Sequence, residues 1–282
     1  GAGSGGYNPE LLTSIAQTSG GNFYHAEGAD GILAAFALEL GSLRSVAAAD
    51  VRVAITPGTD IGIRRVYNDL PTSVKDGATI VELGSLYGGE TQYVVVKLTP
   101  PQRDKAFPRD TLAARVVVSG VSTKSGAFQE EQRAEFRYVE ASEADTESDP
   151  VVEEQRLRLK AARAVRQAFE DAQAGNFQEA VERIRVVRLA LAKFGTHESQ
   201  VLVIALEAIE VDVGNRQRFA ARAGEIHAAS AAMGARRTTS FGRGTYFGDK
   251  DPYVTRVQRQ SQQDMGTGGG TPPKPATGSG KN

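Results

Sequence analysis

A chain of 282 residues is longer than one average domain, and 40% apolar with 24% charged residues describes a protein able to bury a core, so two folded units with connecting segments are expected. Lys and Arg total 33 against 34 Asp and Glu, which leaves no net field to draw nucleic acid or an anionic membrane. The absence of Cys excludes disulfides, thiolate catalysis and Cys-bound zinc, and no apolar run approaches the ~18 residues of a membrane span.

Residues 1–6, Gly-Ala-Gly-Ser-Gly-Gly, read as a linker. Residues 7–45 read as helix, strand, helix. Asn8 caps a helix with Pro9 at its first position, Leu11, Leu12 and Ile15 form its apolar stripe, and Gly20-Gly21 stop it. Asn22 to Ala26 is a short β-prone run, and a second helix follows through Ile32, Leu33, Phe36 and Leu40. A lone strand leaves its backbone groups unpaired, so this α/β remnant is expected to be poorly ordered or to add to a sheet of another chain.

Over 46–140 the apolar period becomes two. Val51, Val53 and Ile55 alternate, followed by Ile61 and Ile63, Ile80 to Leu83, Tyr93 to Leu98, Leu112 to Val118, and Ala134 to Tyr138. Turn signals at Asp76-Gly77, Gly88-Gly89 and Lys124-Ser125-Gly126 separate these six strands, which predicts an antiparallel β-sandwich. Residues 141–151 are an acidic linker with Pro150. Helical periodicity returns over 152–234, an α-helical hairpin or bundle broken at Gly175-Asn176 and Gly214-Asn215. Residues 235–282, rich in Gly, Arg, Thr, Gln and Pro, read as a disordered tail. The fold class is therefore multidomain α and β.

The chemistry-bearing residues define no catalytic or metal constellation. His25, His197 and His227 are far apart in sequence, no Gly-x-Ser-x-Gly elbow occurs, and the glycine runs lack the Lys-Ser/Thr ending of a phosphate loop. The acidic run around 140–154 has no calcium-loop spacing. Arg156, Arg158, Arg163 and Arg166 spread around the first long helix and read as a solvated face. No catalytic residue, cofactor, small-molecule substrate or metal is expected. The tail offers one candidate: Phe241, Arg243, Tyr246, Phe247 and Tyr253 mix aromatic and basic groups as a docking peptide would, with single-stranded nucleic acid the lesser reading.

Tyr7 to Leu12, Gly20 to His25 and Ala35 to Leu40 together resemble the last helix, strand and helix of bacterial von Willebrand factor A domain proteins, and Leu83 to Glu90 looks like the β-domain that follows in their calcium-activated-channel-like group. In that family a metal-dependent adhesion site begins with Asp-x-Ser-x-Ser, which would precede residue 1; Asp145-Thr146-Glu147-Ser148 has the wrong spacing. The resemblance implies an interaction or scaffold module that meets a protein partner or itself, or, alternatively, a regulatory, client-holding subunit of an ATPase-containing complex. Ala174 to Ala180 also resembles the inter-helix turn of tetratricopeptide hairpins, although no second copy aligns and an ordinary hairpin explains it as well. The compartment stays open, with the cytoplasm slightly favoured.

Overall fold

The computed structural model describes residues 8–18, 23–26, 29, 32–33, 35–37, 39–40, 46–88, 91–100, 110–139, 142, 148–235 and 240–241. In chain order these form α1 (Pro9–Thr18), β1 (His25–Ala26), β2 (Val46–Pro57), β3 (Gly62–Val66), β4 (Thr72–Lys75), β5 (Ala78–Tyr87), β6 (Val96–Thr99), β7 (Asp110–Ser122), β8 (Gly126–Arg137), α2 (Pro150–Gln173), α3 (Phe177–Leu191), α4 (His197–Val213), α5 (Arg216–Ala235) and β9 (Ser240–Phe241). The architecture is a mixed α and β one, with an antiparallel sheet followed by helices.

The sheet has the order β4-β5-β2-β7-β8, and β3 pairs with β6 in a second, two-stranded sheet. Alternation along β2 sends Val51, Val53 and Ile55 to one face, where they meet Val81 and Leu83 of β5 and Ala114 of β7. Ile63 and Val66 of β3 and Val96 and Leu98 of β6 pack against the same cluster. Asp76 and Gly77, at φ 50° and 77°, make the two-residue turn that joins Lys75 to its partner Ala78. The run Thr72–Lys75, too short and too polar to show a period, is a strand because that turn folds it back onto β5.

Residues 91–95 are not a strand, although Tyr93 to Leu98 alternate. Their backbone is held by the buried side chain of Asn68: Nδ2 donates to Tyr93 O at 2.7 Å, Oδ1 accepts from Val95 N at 2.8 Å, and Tyr67 N donates to Val95 O at 2.9 Å. A side-chain amide has replaced a ladder, and the strand begins only at Val96.

At the end of β2, Gly58 lies against the neighbouring strand, its N–H donating to Ala113 O at 3.0 Å. A Cβ there would sit 1.9 Å from Leu112 O. Gly58→Ala must therefore move backbone, and a loss of about 1–3 kcal/mol or more is expected, read as a lowered thermal midpoint of the whole chain.

The helices begin and end where local chemistry permits. Asp149 Oδ1 accepts from Val151 N at 2.8 Å and Val152 N at 3.1 Å, with Pro150 in the first turn of α2. Gly175, at φ 87°, reverses the chain into α3. Thr196 caps α4 through Ser199 N at 3.2 Å, and Asn215 caps α5 through Gln217 N and Arg218 N at 3.0 and 3.1 Å. The four helices share one core, in which Val165 and Phe169 of α2, Ile184 and Leu191 of α3, Leu202, Leu206 and Ile209 of α4, and Phe219 and Ile226 of α5 meet.

One expectation is corrected here. His25–Ala26 does not need a sheet from another chain: it pairs in parallel with Ser240–Phe241, residues that composition assigns to the tail. Phe23, Ala26 and Ala37 are buried, and α1 and β1 lie against α5. A two-residue strand has no period to read, and its partner lies more than 200 residues away in sequence, so only tertiary structure can supply it.

Candidate interaction surfaces and the polar groups that set them

Of the residues expected to form a docking peptide, Phe241 falls in β9, where its backbone is opposite Ala26. Arg243, Tyr246, Phe247 and Tyr253 lie outside the described residues. The exposed apolar surface that the described residues show is elsewhere.

Among the arginines of α2, Arg156 pairs with the nearby Glu153 as a surface reading expects, but Arg158 does not lie on a solvated face. Arg158 is 3% exposed. Its guanidinium donates to Glu154 Oε1 at 2.8 Å and also to the Glu198 carboxylate. The hydroxyls of Thr196 and Ser199 donate to the same Glu154 oxygen. Burial pushes the Glu154 carboxyl up, but the hydrogen bonds from Ser199 and Thr196 and the charge of Arg158 outweigh it, so the group ionises below the usual glutamate range. A depressed folded pKa means stability that is fully present above the unfolded carboxylate value and is lost as pH falls through the folded one. The helical unit is therefore expected to lose stability as the pH drops below about 4, and Glu154→Gln should flatten that part of the acid denaturation profile. The sequence signal that could have found this cluster is the coincidence of Arg158 with the apolar stripe of Leu157, Ala161 and Val165.

Other arginines tie successive helices together. Arg183 of α3 pairs with Asp171 of α2; Arg185 and Arg188 of α3 reach Glu210 of α4 at 3.0 and 2.9 Å; Arg222 of α5 reaches Asp212 of α4 at 3.4 Å. Between the sheet and the helices, Asp69 pairs with Arg166 at 2.5 Å. A Cβ on Gly234 of α5 would lie 2.9 Å from the same Asp69 oxygen, so α5 approaches this connector closely. Arg65 stacks over the Tyr67 ring at 5.1 Å. Gln155, Leu159, Ala162 and Arg166 form a helical stripe on α2 that includes this link. The Asp69–Arg166 pair is partly exposed and is worth at most about 1 kcal/mol.

These contacts turn the outer faces of α3 and α4 to solvent. Val186 and Leu189 on α3 are 61% and 54% exposed, and Ile204 and Val211 on α4 are 61% and 50% exposed. The two helices are neighbours, joined through Glu210, and each carries two large aliphatic side chains on its solvent-exposed face. Among the described residues no group of three or more His, Asp or Glu is placed to hold a metal ion, and no helix is long and apolar enough to cross a membrane.

No family model matches the chain. Among solved structures it is similar to a von Willebrand factor type A protein from Catenulispora acidiphila, with a TM-score of 0.60 and 17% identity over 79% of this chain and 56% of that one. It is also similar to the ArnB paralog VWA2 from Sulfolobus acidocaldarius, with a TM-score of 0.49 and 15% identity over 82% and 54% of the two chains. The first likeness shows that the sheet and helices carry the fold of part of a von Willebrand factor A-type protein. In sequence the chain is 30% identical over 185 residues to the E3 ubiquitin-protein ligase WAV3 of Arabidopsis thaliana, an alignment of 64% of this chain and 24% of the relative. The chain thus spans about a quarter of that protein and little more than half of each structural neighbour.

Proposed function

We propose that the chain is a non-enzymatic protein–protein interaction or scaffold module of a von Willebrand factor A-like protein of the bacterial, calcium-activated-channel-like group. In this reading the two sheets act as a β-sandwich, the helices as a presenting bundle, and the first 45 residues as a remnant of an A-type domain. The observation that carries it is the exposure of Val186 and Leu189 on α3 and of Ile204 and Val211 on α4, two neighbouring helices whose opposite faces are buried. Aliphatic groups held outward on rigid, mutually clamped helices suit a protein partner, because ordering them on binding adds little entropic cost. The segment with Phe241, Arg243, Tyr246, Phe247 and Tyr253 is a second docking element in this reading.

The test is affinity capture from cells carrying the natural gene, comparing the wild type with a folded variant in which Val186, Leu189, Ile204 and Val211 are all Ser. A defined partner lost from the variant supports the reading, and an unchanged set of partners overturns the assignment to this face. An ATPase among the partners would favour the client-holding alternative. The likeness to WAV3 favours a second reading, in which the chain serves as a non-catalytic part of a ubiquitin ligase. Capture of a ubiquitin-conjugating enzyme by the same face would select it.

A further inference from the structure

Strand β8 closes one side of the five-stranded sheet, pairing among the described residues with β7 alone. Edge strands are normally short, bulged or interrupted by proline, because a straight edge recruits a second strand. None of those devices is present. The strand runs twelve residues, Gly126–Arg137, has no proline, and carries no inserted residue; the register shift opposite it falls in β7, between Leu112 and Ala114. Residues 129–135 are all exposed, so nothing described covers the edge.

Its charges are the remaining device, and their order matters. An antiparallel pairing of β8 with a second copy of itself about a two-fold axis sets residues of the same sheet face opposite one another. An axis at Glu131 or Arg133 sets that charge against its own copy. An axis at Gln132 does the reverse: Glu131 falls opposite Arg133 of the second copy, twice; Phe128 falls opposite Phe136, twice; Gln129 opposite Glu135; and Glu130 opposite Ala134. No like charges meet. An axis at Ala134 also avoids like charges but engages only 131–137 of the strand, whereas the axis at Gln132 engages 127–137 and gains the aromatic pairs. Charges that ordinarily keep edges apart are here arranged to match a second copy.

We propose that β8 is a self-pairing edge: two copies of the chain join β8 to β8 antiparallel about an axis at Gln132, merging their two five-stranded sheets into one. This extends the interaction reading to a different surface from the aliphatic face of α3 and α4, and either can stand without the other.

The full chain is cysteine-free, which makes the test direct. In the paired sheet the two Gln132 Cα atoms lie about 4.5–5.5 Å apart, within the span of about 4.4–6.8 Å that a disulfide bridges. Gln132→Cys should therefore form a disulfide dimer under mild oxidation, while Gln129→Cys, exposed on the same strand but opposite Glu135, should not. Sedimentation equilibrium should show a dimer for the wild type. Arg133→Glu should weaken it about tenfold or more by setting Glu131 against glutamate twice. The swap Glu131→Arg with Arg133→Glu should restore it. With circular dichroism confirming that each variant folds, a monomeric wild type, equal cross-linking of the two cysteine variants, or a dimer indifferent to Arg133→Glu overturns the proposal.

Discussion

Arg158→Ala is expected to lower the unfolding free energy by about 3–5 kcal/mol, measured by urea denaturation followed at the helical signal. The substitution strands Glu154 as a buried carboxylate with only the hydroxyls of Thr196 and Ser199 to stabilise it, and it releases the link to Glu198 at the start of α4. The size of the effect comes from the uncompensated charge, not from the worth of the pair. Replacing both partners, Glu154→Gln with Arg158→Met, should therefore recover most of the loss. Arg158 Nε is buried without a hydrogen-bond partner, so the wild-type cluster itself is imperfectly satisfied, and an apolar replacement gives up less than the single variant suggests. A double variant as unstable as the single one would show that the cluster is held by something other than charge.

Phe169→Ala is expected to cost about 3–5 kcal/mol as well, by a different route. Phe169 is 3% exposed near the C-terminal end of α2, where its ring meets Phe219 edge-on at 5.3 Å and His227 at 5.5 Å, both on α5. Removing it opens a cavity where the first and last helices of the bundle touch, on the same pair of helices that the 2.9 Å hydrogen bond from Ser230 Oγ to Ala162 O joins. Phe169→Leu, which keeps most of the volume, should lose a smaller part. Thermal unfolding of the two variants separates cavity formation from loss of the aromatic contact.

Gly175-Asn176 and Gly214-Asn215 interrupt the helical stripes, and the structure ends and starts helices there, because caps and positive-φ glycines are local devices. Asp76-Gly77 marks a hairpin for the same reason. The strand beside that turn, Thr72–Lys75, is exposed along its whole length and so carries no apolar signature, and Tyr93 to Val95 carry one but spend their backbone groups on Asn68. In the first case the hairpin decided, and in the second a buried amide overrode the period. The candidate docking residues stand out by composition, which identifies groups able to bind but not their placement. Val186, Leu189 and Val211 do not stand out beside the core stripes of the same helices, and Ile204, which reads as part of the apolar stripe with Val201, Ala205 and Ile209, is 61% exposed, since a second apolar face is recognised only once the first has been buried.

By itself, then, the sequence determined the helix breaks at Gly175-Asn176 and Gly214-Asn215, where the β period starts, and which residue types are missing, while α2 begins at Pro150, inside the stretch that reads as linker. Each of these follows from interactions within a few residues of chain. Tertiary structure alone decided that Arg158 is inside the protein, that Asp69 links the sheet to α2 through Arg166, and that His25–Ala26 finds its partner at Ser240–Phe241. Those are pairings between distant segments, and their energy depends on burial and distance that no local pattern encodes.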